Sequence, residues 1–154
     1  MADVRFQQAR PLDAVELVVK MRQADIDECK ALGIEDFVGR VKLSIQRSAF
    51  AYTVTVDNAL MCILGVAPMY GMFDPVGIPW MLGTDLVRKH QRVLMRECRP
   101  YIQEMLRAYP HLVNYVSAEN HTSKRWLRRV GFTLQPAEPF GPLGAPFHRF
   151  DMRA

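Results

Sequence analysis

Residues 113–134, VNYVSAENHTSKRWLRRVGFTL, constrain the fold more than any other stretch of the chain. Apolar or small residues alternate with others over 113–117, as one face of a strand would. Asn120 predicts a helix N-cap, because its side-chain oxygen can accept a hydrogen bond from a first-turn N–H. Gly131 suits the left-handed conformation that ends many helices. The stretch therefore predicts a strand, a helix and a second strand in direct succession.

Composition is typical of a globular protein, with 49% hydrophobic and 23% charged residues. A length of 154 residues predicts a single domain over residues 1–154. No apolar run approaches the roughly 20 residues that span a membrane, and the charged N-terminus does not resemble a signal peptide. Cys29, Cys62 and Cys98 are widely spaced, which predicts reduced thiols. A catalytic cysteine paired with a histidine is the alternative.

The rest of the chain alternates between helical and strand patterns. Helices are predicted from Pro11, over 23–32 and 35–47, and over 84–108 with a break or kink near Pro100, or alternatively near His90. Further strands are predicted at 4–8, 49–56, 59–66, 78–82 and 147–152. Residues 136–146 are rich in Pro and Gly, which predicts irregular structure. This order of elements predicts an α/β fold with a mixed sheet.

The C-terminal unit resembles the second signature motif of the GNAT acyltransferase superfamily. Asn120, the small Ser123 and the pair Gly131-Phe132 stand where that motif has its Asn, small residue and Gly-Phe. The resemblance implies a mostly antiparallel central sheet flanked by helices. The family's frequent general acid, a tyrosine, is Leu127 here, and leucine cannot exchange a proton. No catalytic residue is therefore assigned.

The other signature of this superfamily is a glycine-rich loop that holds the acetyl-CoA pyrophosphate on backbone N–H groups. Only Leu82, Gly83 and Thr84 stand at that place, followed by the negative Asp85. If acetyl-CoA binds, the resemblance implies contacts from these three residues and from Asn120. The alternative for Gly83 and Thr84 is a strand end and a helix cap. No acyl cofactor is expected if the loop has been lost.

A narrower resemblance links the chain to internal virion and acetyltransferase-like proteins of tailed phages. It is carried by the stretches PWMLGTDLVRKHQR, NYVSAEN with RWLRRVGF, and PFGPLGAPFHRF. It implies a non-catalytic structural or interaction protein, made in the bacterial cytoplasm and located in the virion. Other virion proteins and a homo-oligomer are the implied partners. An active acetyl-CoA-dependent N-acetyltransferase is the alternative.

Surface features suggest two kinds of partner contact. The net charge is +4, and a nucleic-acid contact is a second alternative. Its candidate residues are Arg88, Lys89, Arg92, Lys124, Arg125 and Arg128. Apolar residues in the loop around 68–79, among them Met69, Met72 and Phe73, predict a protein contact, as does the segment 136–146. The four histidines lack metal-ligand spacing, so no metal site is predicted.

Overall fold

A computed structural model describes residues 1–71 and 73–154 and contains one seven-stranded sheet. The strands are β1 (Val4–Gln8), β2 (Phe50–Val56), β3 (Ala59–Pro68), β4 (Val76–Gly83), β5 (His111–Ser117), β6 (Thr133–Phe140) and β7 (Ala145–Arg153). The helices are α1 (Asp13–Lys20), α2 (Gln23–Ala31), α3 (Phe37–Arg47), α4 (Leu86–Lys89), α5 (Gln91–Ala108) and α6 (His121–Val130). The strand order is β1-β2-β3-β4-β5-β7-β6.

The sheet is mixed, with one parallel pair between β4 and β5 and antiparallel pairs elsewhere. Helices cover both faces: α1 and α3 pack residues such as Leu17 and Val41 on one face, and α5 and α6 pack Leu94 and Leu127 on the other. The predicted α/β fold with a mostly antiparallel sheet flanked by helices is confirmed. Asp57 and Asn58 both have positive φ angles, 49° and 66°, as a tight hairpin turn between β2 and β3 requires.

Three sequence predictions about local structure are wrong, and prolines account for two of them. Helix α5 continues through Pro100, which is exposed, and the chain breaks instead at His90, as the alternative had it. Residues 136–140 belong to β6 rather than to an irregular segment. β6 lies at the edge of the sheet and has a register shift between Leu134 and Ala137. The prolines of β6 therefore remove few backbone hydrogen bonds between strands.

The third error concerns the loop predicted around 68–79, which is shorter than expected. Strand β4 begins at Val76, so only the residues before it connect β3 to β4. In this connection Tyr70 and Phe73 are exposed, at 88% and 94%. Met72, which was part of the predicted apolar surface, lies outside the described residues.

The parallel strands β4 and β5 pair only at their beginnings, Val76 with His111 and Gly77 with Leu112. Beyond that point the side-chain Nδ2 of Asn114 donates to the carbonyl of Pro79 at 2.7 Å, so this carbonyl points towards β5. The nitrogen of a strand residue points the same way as its carbonyl, and proline has no N–H to donate. Pro79 therefore removes a ladder bond where the two strands separate.

Candidate functional site

A cavity of about 570 Å³ lies where β4 and β5 separate. Residues 78–82 of β4 form one wall, and Asn114, Tyr115 and Val116 of β5 form another. Helices α2, α3, α5 and α6 complete the lining from the two faces of the sheet. Binding sites for small molecules commonly occupy this volume range and lie where a sheet opens. The cavity is therefore the candidate functional site.

A buried ion pair closes the end of the cavity next to the last residue of β4. The Nε and Nη2 atoms of Arg22 donate to the two carboxylate oxygens of Asp25 at 2.8 and 2.9 Å. Asp25 is 1% exposed and also accepts the backbone N–H of Gly83 at 2.8 Å. Arg22 Nη2 donates in addition to Ser123 Oγ of α6 at 2.8 Å. Arg22 thus links the end of β4 to the start of α6 across the opening.

A second carboxyl group, that of Glu28, lies one helical turn further along α2. Its Oε1 accepts the backbone N–H of Ser117 at 2.7 Å and the Nδ2 of Asn120 at 3.4 Å. Burial raises the pKa of the Glu28 carboxyl, and the nearby charge of Asp25 raises it further. Glu28 therefore holds a proton more readily than an exposed glutamate and can exchange it at a higher pH.

The four residues predicted to contact a cofactor take different places around this site. Leu82 lines the cavity, and Gly83 gives its N–H to Asp25. Thr84 is turned towards β3: its N–H donates to the Met61 carbonyl at 2.9 Å and its hydroxyl to the Leu60 carbonyl at 3.0 Å. Asn120 is buried, and its Oδ1 accepts the N–H of Ser123 at 3.2 Å, so the predicted N-cap is confirmed.

The remaining parts of the C-terminal motif also fold as predicted. Gly131 has a φ of 119° and lies in the left-handed conformation at the end of α6. Leu127 is 7% exposed and lies between the core and the cavity. An apolar side chain thus lies at the position where the resemblance would place a general acid. Leu127 packs and cannot transfer a proton.

Sequence reasoning missed Arg22, Asp25 and Glu28, whose side chains form the hydrogen bonds at the ends of β4 and β5. A signal for them was available in α2. Asp25, Glu28, Cys29 and Leu32 follow the spacing i, i+3, i+4 and i+7 that marks one helix face. Carboxyl groups on the same face as apolar residues predict burial, and buried carboxyl groups need partners.

One buried side-chain polar atom at the site has no hydrogen-bond partner among the described residues. The indole Nε1 of Trp126 is buried without a hydrogen bond, and Trp126 lines the cavity. The other cavity tryptophan, Trp80, donates its Nε1 to Ser48 Oγ at 2.8 Å. Tyr115 and Phe140 stack with ring centroids 3.9 Å apart and add an aromatic wall. The cavity walls are thus largely apolar and aromatic.

The basic residues predicted to contact nucleic acid lie on α4, α5 and α6. Arg88 lies beside the start of α6, where it borders a small depression with Thr122 and Ser123. Lys124 donates its Nζ to the Ala118 carbonyl at 2.8 Å. Within the described ranges, none of the six forms an ion pair with an acidic side chain.

The cysteines and histidines form no chemical centre within the part of the chain that the structure describes. Cys29, Cys62 and Cys98 are buried and free, and burial raises the pKa of Cys29 and Cys98 to about 11, so both stay protonated. No group of three or more His, Cys, Asp or Glu residues among the described positions could hold a metal ion. No helix of the described chain is long and apolar enough to cross a membrane.

Several solved acetyltransferases share this architecture. The acetyltransferase of GNAT family from Streptococcus pneumoniae aligns over 99% of this chain and 100% of its own, with 11% identity and a TM-score of 0.63. The ribosomal-protein-alanine N-acetyltransferase from Brucella melitensis aligns over 97% and 99%, with 13% identity and a TM-score of 0.69. Aminoglycoside acetyltransferase AAC(6')-Ib, in complex with coenzyme A, aligns over 98% and 95%, with 13% identity and a TM-score of 0.69.

No protein-family model matches the sequence, and no curated protein matches it either. Sequence identities of 11 to 13% over nearly the whole length show a shared fold and do not carry an activity from one protein to another. The chain therefore has the fold of the GNAT acetyltransferase superfamily.

Proposed function

We propose that this protein is a non-catalytic structural or interaction component of a tailed-phage virion, built on the GNAT fold with an eroded acyl-CoA site. The loss of the site is supported by one observation: two backbone N–H groups at the end of β4 already donate to acceptors within the protein. Gly83 donates to Asp25 and Thr84 donates to the Met61 carbonyl. Neither group is free to hold a phosphate oxygen.

The physical argument rests on how proteins hold phosphate groups. Anions bind at helix starts because unpaired N–H groups point at them and the helix dipole adds a favourable potential. Here α4 has only four residues and begins after the negative Asp85. The carboxylate of Asp25 already accepts the N–H at the strand end. A protein carboxylate thus takes the position that a ligand anion would need.

The assignment to a virion is supported by sequence resemblance. The stretches around Trp80, Asn120 and Pro142 are similar to internal virion and acetyltransferase-like proteins of tailed phages. Partner contacts from other virion proteins or from a second copy belong to this proposal. The exposed Tyr70, Phe73 and Leu143, in two loops, are candidate contact residues.

Two measurements test this proposal separately. A thermal melt with millimolar acetyl-CoA is expected to show no stabilisation, whereas a ligand at about 100 times its Kd would add about 2.7 kcal/mol. ATP at the same concentration controls for a general effect of anions. A clear shift with acetyl-CoA alone would contradict the loss of the site. Failure of mass spectrometry to detect the chain in purified phage particles would contradict the virion assignment.

The second candidate is an active acetyl-CoA-dependent N-acetyltransferase. It is favoured by the Glu28 carboxyl, whose raised pKa suits a group that accepts a proton from an amine. In that case Leu82, Gly83, Thr84 and Asn120 would lie beside acetyl-CoA. Acetyl transfer to a panel of amines, lost in Glu28→Gln and kept in Asp27→Asn on the exposed side of α2, would support this function. No turnover across the panel would remove it.

The third candidate is a nucleic-acid contact through the basic residues of α4, α5 and α6. Their lack of acidic partners among the described residues favours it. Binding to duplex DNA should then fall steeply as salt rises, because each neutralised phosphate releases counterions. Changing Arg88 and Arg92 to Ala should reduce the slope of log affinity against log salt concentration. Changing Arg5, on β1, should leave this slope unchanged. Binding that does not respond to salt would exclude this candidate.

A further inference from the structure

The two edges of the sheet differ in whether they can accept another strand. β6, at one edge, contains Pro136 and Pro139 and has a register shift between Leu134 and Ala137. Prolines and bulges block further pairing at a sheet edge, because they remove N–H donors or bend the strand. β1, at the other edge, contains no proline or glycine and pairs with β2 without a register shift. β1 is therefore the edge that is open to pairing.

The backbone of β1 presents donors and acceptors on its outer side. The Asp57 N–H donates to the Asp3 carbonyl and the Ala9 N–H to the Ala51 carbonyl, both at 2.9 Å. The odd-numbered residues of β1 thus point their backbone groups towards β2, because this direction alternates along an antiparallel strand. The even-numbered residues point theirs away from the sheet: Val4, Phe6 and Gln8. No strand lies beyond β1 among the described residues, so these groups are available to a partner.

The side chains of β1 form an apolar row and a charged row. Ala2, Val4 and Phe6 pack against the core on one face. Phe6 also stacks on Tyr101 of α5 with ring centroids 4.0 Å apart, which holds the strand in place. On the other face, Arg5 Nε donates to Asp3 Oδ2 at 3.0 Å in an exposed ion pair. A strand that is already ordered loses little conformational entropy when it binds a partner.

This pattern is self-complementary in one antiparallel register. When Val4 lies opposite Val4 of a second copy, Asp3 of each chain lies opposite Arg5 of the other. Because their backbone groups point towards β2, Asp3 and Arg5 form a non-hydrogen-bonded pair across the new interface, where opposed side chains come closest. Phe6 lies opposite Ala2, so the apolar row continues across the interface.

Two neighbouring registers fit less well. The register centred on Arg5 places two arginines directly opposite each other, and opposed like charges are destabilising. The register centred on Phe6 places Val4 opposite Gln8 and leaves both Asp3 and Arg5 without an opposite charge across the interface. Charge complementarity therefore favours the register centred on Val4.

We propose that this protein forms a symmetric homodimer through antiparallel pairing of β1 with β1 of a second copy, in the register centred on Val4. The inference rests on the proposed function, in which a second copy is one of the partners, and it names the surface for that contact. Backbone hydrogen bonds hold the two strands together, and the pairs of Asp3 with Arg5 set the register. Two short strands make a small interface, so the dimer should form as the concentration rises towards the millimolar range.

Analytical ultracentrifugation of charge variants tests this interface. Asp3→Arg or Arg5→Asp puts like charges opposite each other, so each variant alone should dimerise roughly tenfold more weakly than the natural chain. An equimolar mixture of the two variants should recover the natural affinity, because a chain with two arginines then meets a chain with two aspartates. Lys20→Asp reverses an exposed charge on α1, which packs on β3 and β4, and should leave dimerisation unchanged.

Two results of this experiment would overturn the proposal. One is a natural chain that stays monomeric at millimolar concentration. The other is a mixture that associates no more tightly than the separate variants do. Both changes lie in an exposed ion pair, so the variants should fold, and circular dichroism checks this.

A pair of proline variants tests the backbone hydrogen bonds. Val4→Pro removes an outward N–H at the centre of the strand pair and should weaken dimerisation by roughly tenfold or more. Gln8→Pro makes the same change at an outward N–H beyond the overlap, so it should leave the affinity unchanged. Neither change removes a hydrogen bond to β2, because both residues point away from it.

An effect of Gln8→Pro as large as that of Val4→Pro would overturn the register centred on Val4. If Val4→Pro does not fold, the mixture of charge variants decides. The proposed function fails by different results. A chain that does not dimerise removes the β1 interface alone, whereas a chain that is absent from purified particles removes the virion assignment and leaves the dimer.

Discussion

The ends of β4 and β5 are two neighbouring strand-to-helix junctions that the protein completes in different ways. After β5, the cap of α6 is local: Asn120 accepts the N–H of Ser123 three residues later. After β4, the N–H of Gly83 is accepted by Asp25, 58 residues away in sequence. Helix α2 serves both junctions, because its Glu28 accepts the N–H of Ser117 at the end of β5. Two carboxyl groups one turn apart thus hold the two strand ends.

This comparison shows that the acceptors at both strand ends come from the protein itself. A strand end that precedes a helix leaves N–H groups that need acceptors. A ligand phosphate can supply the acceptor, and so can a carboxyl group of the protein. Here α2 supplies Asp25 and Glu28, and the buried Arg22 forms an ion pair with Asp25. The junctions are completed from within the chain.

The largest expected effect comes from Asp25→Ala. This change leaves Arg22 buried without its counter-charge and frees the N–H of Gly83. Breaking a buried pair in this way costs about 3 to 5 kcal/mol. Urea denaturation followed by circular dichroism measures the loss. Asp27→Ala, on the exposed side of α2, is the matched control and should change stability by no more than about 0.5 kcal/mol. Equal effects of the two changes would refute the role of Asp25.

A smaller loss is expected from Gly83→Ala, because a Cβ at this position would lie 2.5 Å from Val87 Cγ2 and 3.3 Å from the Met61 carbonyl. Overpacking of this kind costs about 1 to 3 kcal/mol. Gly71→Ala is the matched control, since among the described residues a Cβ there would have no heavy atom within 4 Å beyond its chain neighbours. Thermal melts of the two variants measure the difference. A neutral Gly83→Ala would mean that the β4 junction relaxes more easily than its packing indicates.

The two junctions also differ in how far sequence could predict them. The ends of α6 depend only on residues within or next to that helix, namely Asn120, Ser123 and Gly131. The N-cap and the C-terminal end of α6 could therefore be predicted from local spacing. The partner of Gly83 lies far away in sequence, and no local pattern joins it to Asp25. Prolines gave wrong predictions where the tertiary context decides: Pro136 lies in an edge strand and Pro100 on an exposed helix face. The order of elements was therefore predictable, while the pairing of Asp25 and Glu28 with distant strand ends was not.

At the β5 junction, Asn120→Ala should cost about 1 kcal/mol, because α6 loses its cap. The matched control is Asn120→Ser, which keeps a capping oxygen and should recover most of this loss. Thermal melts of the two variants, with amide exchange of the first turn of α6, measure the effect. If Ala and Ser destabilise equally, the contact of Asn120 Nδ2 with Glu28 contributes more than the cap does.

The smallest expected effect separates the two carboxyl groups by pH. Since burial raises the pKa of Glu28 from its ordinary value of 4.5, the folded state holds this proton more tightly than the unfolded chain does. The stability that this proton contributes is complete below pH 4.5 and is lost as pH rises through the raised pKa. Glu28→Gln cannot lose a proton, so its stability relative to the natural chain should increase from pH 4 to pH 7.

Melting temperatures at pH 4, 5, 6 and 7 measure this difference. Glu35→Gln, at an exposed position before α3, controls for the removal of one negative charge from the protein. The control should show a constant small offset, while the Glu28→Gln difference should grow with pH. A difference that stays flat or reverses would mean that the N–H of Ser117 stabilises Glu28 in its charged form. The two strand ends would then be completed in the same way, each by a backbone N–H that donates to a carboxylate.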